Sequence, residues 1–183
     1  MKMEGRKTET GVVFKVNDRN REELSREEIR EFVNSLNEEK EFFPMAIQGI
    51  LKYEVIVGAE VNGTLVGVAG INRVLGLPNS FTVVRSDFQG KGIGDMLLER
   101  RLKLVEDNYN FFIAKIWKKN VRIVSLVRKW GYRFLYENRE AYFICYPTNF
   151  RGKIICYMLR CLLYVSGPFV LWLAKKFSSG SFA

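Results

Sequence analysis

The chain has 183 residues, 48% hydrophobic and 27% charged, a composition typical of one globular domain with its own core. It contains no histidine, which excludes mechanisms that need an imidazole base or a histidine metal ligand. The net charge of +9 is concentrated in residues 81–183, with 18 Lys and Arg against 7 Asp and Glu, which indicates a phosphate-bearing ligand, nucleic acid or anionic lipid.

Cysteine usage favours reduced thiols. The three cysteines, Cys145, Cys156 and Cys161, are an odd number without a Cys-x-x-Cys pair, which argues against a disulfide framework and a zinc site. We do not expect the polar residues 1–11 to form a secretory signal. We therefore expect a cytoplasmic protein that holds no metal.

Apolar periodicity places the elements of the first 80 residues. The dipeptide Asn62-Gly63 lies between two β-rich runs and is a strong signal for a hairpin turn. The elements predicted here are a strand at 11–16, a helix at 21–36, a short helix at about 43–51, and hairpin strands at 53–61 and 64–72.

The same reasoning continues to about residue 147, where the composition changes. The order β-α-α-β-β-β-α-β-α-β-β predicts a mixed α/β (α+β) domain over residues 1–147, followed by an apolar extension over 148–183. The later elements predicted are a strand at 79–85, a helix at 92–107, a strand at 111–116, a helix at 119–130, and strands at 132–137 and 140–146.

One glycine-rich loop joins a predicted strand to a predicted helix: Gln89-Gly90-Lys91-Gly92-Ile93-Gly94. Such a loop directs several backbone N–H groups towards one point, where the helix dipole adds positive charge. Glycines allow the backbone to approach a ligand closely, and Lys91 adds a full positive charge. The loop therefore predicts an anion-binding site suited to phosphate groups.

The spacing of this loop distinguishes among known phosphate loops. A Walker loop needs Gly-Lys-Ser/Thr, which is absent, and the dinucleotide fingerprint needs G-x-G-x-x-G, whereas this loop has G-x-G-x-G. The segment resembles the pyrophosphate-binding motif of GNAT acetyltransferases, Arg/Gln-x-x-Gly-x-Gly/Ala, with Gln89, Gly92 and Gly94 at its fixed positions. The alternative is a glycine turn that only ends a strand.

Residues 120–132 are similar to a later helix of the same family, which begins with Asn and ends in Gly-Phe or Gly-Tyr. The resemblance implies that Asn120 contacts the pantetheine arm of the cofactor. Its structural alternative is a helix N-cap, and both roles are compatible. The chain departs from the family at Val127, where many members have a tyrosine that protonates the departing thiolate. Ser125 and Tyr132 lie nearby, and we expect both to be structural.

The resemblance also implies a fold and a cofactor. The GNAT fold is a mixed, twisted sheet, here of about seven strands flanked by about four helices, whose two central parallel strands splay apart to admit acetyl-CoA. Those strands would be 79–85 and 111–116, and backbone groups of the first would pair with pantetheine amides as an added strand does. The implied cofactor-binding residues are Thr82, Val83, Val84, Gln89, Gly90, Lys91, Gly92, Ile93, Gly94 and Asn120.

The implied reaction is direct attack of a primary amine, on a small molecule or a protein, on the thioester of acetyl-CoA. Without histidine, the base is a carboxylate, a tyrosine or an ordered water; Glu54 and Glu60 are candidates, and solvent-facing positions are their plainer interpretation. Acceptor selectivity would come from about 37–48 and 136–142. The alternative function is a non-catalytic acyl-CoA-binding regulatory module. Nucleic-acid binding is a third class, for which the chain has no recognition motif.

The extension contains 21 apolar-rich residues, 154–174, enough to span a bilayer. Arg160 and the Ser166-Gly167-Pro168 break argue against a span, and basic residues lie at both ends. We therefore expect residues 150–177 to lie at the anionic inner face of a membrane without crossing it. The alternative is that this segment packs on the domain or in a homodimer interface.

Overall fold

The computed structural model describes residues 11–18, 21–38 and 49–165. The chain divides into two compact units, Met1–Val105 and Glu106–Ala183. The described residues contain eight β-strands and four α-helices, which confirms the expected mixed α+β architecture with one strand more than anticipated. Most strand pairs are antiparallel.

The first unit is a five-stranded antiparallel arrangement in the order β2-β1-β3-β4-β5. Two short 3-10 helices, Gly49–Lys52 and Ser86–Phe88, connect its elements. Its strands and helices are β1 (Val12–Asp18), β2 (Arg21–Glu22), α1 (Arg26–Glu38), β3 (Tyr53–Val61), β4 (Thr64–Val74), β5 (Leu77–Val84) and α2 (Ile93–Val105).

The two helices of this unit cover opposite faces of its strands, because successive strand residues point to opposite sides. On β3, Ile56 belongs to a buried cluster with the apolar residues of α1, whereas the next residue, Val57, packs with Ile93 and Leu97 of α2. Both clusters are almost fully shielded from solvent. Helix α2, which follows the glycine loop, is therefore fixed by its own buried apolar side.

Helix α1 begins later than predicted. The expected helix at 21–36 is wrong at its start, because Arg21–Glu22 pairs with β1 as a short strand. The helix is set by Ser25: its hydroxyl accepts from the Glu28 amide at 3.1 Å, and the Glu28 carboxylate accepts from the Ser25 amide at 2.7 Å. This reciprocal pair is a capping box. Of the short helix expected at about 43–51, residues 43–48 lie outside the described residues.

The Asn62-Gly63 turn is confirmed as the hairpin between β3 and β4, with φ of 52° and 77°. A second turn of the same form joins β4 to β5 through Leu75 and Gly76, with φ of 53° and 77°. Two successive residues with positive φ match the type I′ hairpin turn. The sequence analysis did not predict the second turn, because leucine rarely adopts positive φ.

The second unit has three antiparallel strands in the order β6-β8-β7 and two helices. No helix in the described ranges is long and apolar enough to cross a membrane. The elements are β6 (Phe111–Trp117), α3 (Val121–Lys129), β7 (Arg133–Glu137), β8 (Ala141–Pro147) and α4 (Phe150–Val165).

Helix α4 belongs to the packed structure of this unit. Cys156, Leu159 and Leu163 on its inner side contact a cluster with Leu135 and Cys145. Cys145 and Cys156 form a disulfide, and Cys161 is an exposed free thiol. The expectation of three unpaired cysteines is therefore wrong: an odd count leaves one thiol over but does not prevent a strand cysteine from pairing with one on the helix above it. The cysteines no longer favour a reducing compartment.

Candidate functional site

The glycine-rich loop begins directly at the end of β5. The Arg85 amide donates to the Val66 carbonyl at 2.9 Å, which holds the first residue after β5 against β4. The chain then turns through the 3-10 helix, where the Phe88 amide donates to the Arg85 carbonyl at 3.0 Å and the Gln89 amide to the Ser86 carbonyl at 3.2 Å. The turn brings the loop back over the end of its own strand.

Gln89 links the loop to the end of β5 through a side-chain hydrogen bond. Its side-chain Nε2 donates to the carbonyl of Val84, the last residue of β5, at 3.1 Å. Gly90 and Gly92 follow with φ of 83° and 80°, a left-handed backbone region that side chains other than glycine rarely adopt. The glutamine and these two glycines thus fix the path of the loop.

The loop presents a row of backbone N–H groups at the start of α2. The first amides to bond within the helix are those of Asp95 and Met96, which donate to the Gly92 carbonyl at 3.1 and 3.2 Å. Within the described part of the chain, the five amides from Gly90 to Gly94 donate to no protein acceptor. Unbonded amides combined with the positive end of a helix dipole form an anion-binding site.

Side-chain charge adds to this backbone field. The Lys91 ammonium lies 4.5 Å from the centroid of the Phe88 ring, so a cation–π contact holds it beside the loop. Arg85 lies 5.7 Å from the same ring and donates two hydrogen bonds to Asp87, at 3.0 and 3.2 Å. Asp87 pairs with Arg85, Lys91 adds a positive charge within the loop, and Asp95 lies in the first turn of α2.

A close approach of α2 to the strands sets the position of this helix start. Gly67 of β4 pairs with Val84 of β5. A Cβ atom on Gly67 would lie 3.0 Å from Leu97 Cδ1 on α2 and 3.1 Å from the Val83 carbonyl oxygen. A side chain at residue 67 would therefore require these neighbours to shift by a few tenths of an ångström. Sequence reasoning gave this glycine no role.

The strand predicted to bind pantetheine corresponds to β5 of the first unit. Thr82, Val83 and Val84 pair with β4 and are partly exposed. A feature that the sequence analysis missed lies beside them: Arg101 of α2 is 1% exposed and donates through Nη1 to the Phe81 carbonyl and to Thr82 Oγ1, both at 3.1 Å. The sequence could have indicated this buried arginine, because Arg101 lies four residues after Leu97, on the apolar side of the predicted helix.

The two carboxylates considered as general bases are both ion-paired. Glu60 is buried and lies 2.6 Å from Lys15 Nζ, and Glu54 lies 2.6 Å from Arg73 Nε. The hydrogen bond with Glu60, followed by that with Glu28, raises the pKa of Lys15 above its usual 10.5. These contacts give both glutamates a structural role in holding β3 to its neighbours.

The second unit contains the other candidate residues. Asn120 caps α3, since its Oδ1 accepts from the Ile123 amide at 3.2 Å, which confirms the N-cap interpretation. Val127 is buried, and Ser125 is exposed. Tyr132 is also buried, and its ring centroid lies 5.9 Å from that of Phe112 and 5.1 Å from that of Tyr146. The structural role expected for Tyr132 agrees with this packing.

The same unit has an open cleft of about 440 Å³ beside the last hairpin. One wall comes from the 136–142 region that the resemblance links to acceptor selectivity, and the other from α4, which the sequence analysis did not connect with it. The described residues contain no cluster of side chains able to hold a metal ion. The lining residues include Phe134, Tyr136, Glu137, Tyr142, Arg160 and Tyr164.

A model of the acetyltransferase (GNAT) family matches residues 20–132, more than half of the chain, including the glycine loop and the Asn120 helix. The chain belongs to the GNAT acetyltransferase family. GNAT acetyltransferases transfer acetyl groups from acetyl-CoA, so the resemblance carried by Gln89, Gly92 and Gly94 is confirmed at the level of the family. No curated protein gives a significant match to this GNAT chain.

Solved structures share the GNAT fold with this chain. The ribosomal-protein-S18-alanine N-acetyltransferase from Escherichia coli has a TM-score of 0.57 at 16% identity, covering 74% of this chain and 94% of that one. YncA from Salmonella typhimurium, solved with its cofactor acetyl-CoA, has a TM-score of 0.55 at 14% identity, covering 74% and 94%. A GNAT acetyltransferase from Streptococcus pneumoniae has a TM-score of 0.54 at 14% identity, covering 73% and 98%. At these identities the likeness shows the fold alone.

Proposed function

We propose that this GNAT protein is an N-acetyltransferase that moves the acetyl group of acetyl-CoA to a primary amine by direct attack. The observation that carries the proposal is the loop from Gly90 to Gly94, whose five amides have no protein acceptor within the described residues. They lie at the start of α2 beside the Lys91 ammonium. A pyrophosphate, with two negative phosphates and many acceptor oxygens, fits such a row of donors.

Each loop residue has a proposed part in holding acetyl-CoA. Gln89 keeps the loop against the strand end through Val84, and Gly92 supplies the left-handed turn. Gly94 leaves room for a close ligand, since a Cβ there would meet only Val84 Cγ2, at 3.8 Å. The polar backbone of Thr82–Val84 and the side-chain amide of Asn120 are proposed to bind the pantetheine arm, as the resemblance to the family implies.

The proposed chemistry needs positioning more than a reactive side chain. Acetyl-CoA supplies an acetyl group activated as a thioester. The amine nitrogen bonds to the acetyl carbon, the carbon–sulfur bond breaks, the amine releases one proton, and the CoA thiolate takes one up. Holding the two reactants in line contributes up to about 7–11 kcal/mol in favourable cases.

Proton transfer is proposed to run through ordered water. Glu54 and Glu60 are held in ion pairs, and Tyr132 is packed among aromatic rings. Residue 127, where many family members have the acid tyrosine, is a buried valine. This valine also supports the alternative function, a non-catalytic module that binds acyl-CoA and regulates a partner.

The test separates binding from turnover. Calorimetry measures the affinity of the protein for CoA. Release of free thiol from acetyl-CoA measures acetyl transfer to a panel of polyamines, amino sugars, lysine peptides and peptides with free N-termini. Thiol release that depends on one amine class supports the proposed enzyme. CoA binding without turnover on any amine supports the regulatory module, and absence of CoA binding contradicts both.

A further inference from the structure

Helix α4 has an apolar side that faces solvent. We call this the outer apolar face, and its residues are between 47% and 75% exposed in the structure. Large apolar side chains at this exposure are unusual when they lie next to one another, because contiguous exposed apolar surface marks an interaction site. The outer apolar face consists of Phe150, Ile154, Tyr157, Met158 and Leu162.

The spacing of these residues places them on one side of the helix. They recur at intervals of three and four residues, and at about 100° per residue they form a single stripe. The opposite side carries Gly152, Cys156, Leu159 and Leu163, which face the strands of the second unit. Helix α4 is therefore apolar on two sides, and among the described residues only one of them is covered.

Basic residues lie along one border of the outer apolar face and within it. At the same angular spacing, Lys153 and Arg160 fall along one border, whereas Arg151 falls within the stripe, between Met158 and Leu162, and all three are exposed. The helix contains no Asp or Glu, and none occurs anywhere in residues 141–183. The charged side chains of α4 are thus all positive, and Glu137, which lines the same cleft as Arg160, is ion-paired with Lys118.

This arrangement distinguishes between two kinds of occupant. A second copy of the chain, related by a two-fold axis, would bring identical faces together and place like charges of both copies side by side. An anionic lipid surface satisfies both features, since its acyl region accepts the apolar stripe and its headgroups pair with the flanking cations. Charge complementarity therefore favours the lipid surface.

We propose that the outer apolar face of α4 docks on an anionic membrane surface, with the helix axis parallel to the membrane plane. Tyr157 lies within the apolar stripe and Tyr164, 86% exposed, at its end. Tyrosine is favoured at the boundary between headgroups and acyl chains.

Flotation of the full-length protein with vesicles tests the proposal. Vesicles of phosphatidylcholine alone are compared with vesicles that also contain phosphatidylglycerol, and we expect the protein to float only with the second kind. Binding should weaken as salt rises, because the Debye length falls from about 10 Å at 0.1 M to about 3 Å at 1 M. The decisive variant is Ile154→Glu/Met158→Glu, expected to lower vesicle binding about tenfold or more.

A matched control changes the net charge by the same amount elsewhere. Val74→Glu/Leu75→Glu alters two exposed apolar residues in the hairpin between β4 and β5 of the first unit, and it should float like the parent. Unchanged thermal unfolding and CoA affinity show that both variants are folded. The proposal is overturned if the parent fails to float with anionic vesicles, or if the helix variant floats like the parent. It is also overturned if sedimentation shows a dimer that the helix variant dissociates while no protein floats.

Discussion

Gly94 and Val84 lie at a spacing that admits a methyl group: a Cβ atom on Gly94 would lie 3.8 Å from Val84 Cγ2, an ordinary van der Waals contact. The protein itself therefore leaves room for a methyl group at this position. Any penalty for adding one must come from a ligand that approaches the start of α2. A substitution at residue 94 can therefore test CoA affinity separately from the stability of the fold.

We predict that Gly94→Ala keeps the fold and lowers CoA affinity at least about tenfold. Alanine is favoured over glycine within helices by up to about 1 kcal/mol, so the free energy of unfolding should stay level or rise. Calorimetry with CoA and denaturant unfolding measure the two quantities. CoA affinity equal to that of the parent would place the pyrophosphate elsewhere.

Gly92→Ala is expected to lose CoA binding and also about 1–2 kcal/mol of stability, because its φ of 80° disfavours a side chain. Gly63→Ala is the matched control, since Gly63 has a φ of 77° and equally open surroundings in the β3–β4 hairpin. We expect a similar loss of unfolding free energy in the control, with CoA affinity unchanged. If CoA affinity falls in both variants, general destabilisation explains the loss.

We predict that Asn120→Asp separates the two roles of this residue. Aspartate retains an oxygen that can accept from the Ile123 amide and keep the α3 cap, but it loses the amide donor proposed to bind pantetheine. Stability should stay near that of the parent while kcat/KM for acetyl-CoA falls. Asn120→Ala should lose both, with about 0.5–2 kcal/mol of stability. A full-activity Asn120→Asp enzyme would leave Asn120 with the cap alone.

The Cys145–Cys156 disulfide is expected to stabilise the second unit by about 2–3 kcal/mol, because it closes a short loop in the unfolded chain. Reductant should lower the free energy of unfolding of the parent by this amount and leave Cys156→Ala unaffected. The Cys161→Ser control should respond to reductant like the parent. Thiol labelling of the unreduced parent should modify one cysteine, and labelling of all three would show that the bond is not formed.

Acid should weaken the Lys15–Glu28 ion pair, which links β1 to α1. The hydrogen bond from Lys15, with those from Ser25, lowers the pKa of Glu28 from 4.5 to about 2. Because the folded-state pKa is depressed, this contribution is complete above pH 4.5 and is lost as pH falls towards 2. The partly exposed pair is screened by solvent, so we expect about 1 kcal/mol or less. Glu28→Gln can retain the Ser25 cap, and its stability deficit relative to the parent should vanish on acidification.

Local backbone chemistry explains which parts of the fold could be predicted. Asn62-Gly63 predicts a hairpin because both residues tolerate positive φ. Leu75 also has positive φ, but leucine does not indicate such a turn in a sequence. Leu24 misplaced the start of α1, since it is buried and in helical phase yet precedes the Ser25 cap. The period of apolar residues cannot distinguish a helical position from a buried neighbour just outside the helix.

Some features of the candidate site and of the second unit could be predicted from the sequence, and others could not. The spacing of Gln89, Gly92 and Gly94 is visible in the sequence because one short loop contains the whole motif. Arg101 and the Cys145–Cys156 bond were missed because their partners lie on other elements: the guanidinium bonds a strand carbonyl twenty residues earlier, and the disulfide joins a strand to a helix. Only tertiary contact reveals such pairs.

The charge on helix α4 has a consequence for how its surface could be controlled. Residues 141–183 contain neither a carboxylate side chain nor a histidine, the side chains whose charge most often changes on acidification. This segment therefore has none of the side chains that ordinarily gain positive charge between about pH 5 and 8. Acidification of a cell could not detach the helix by changing its own charge, so its attachment would follow the anionic lipid content of the membrane and the ionic strength.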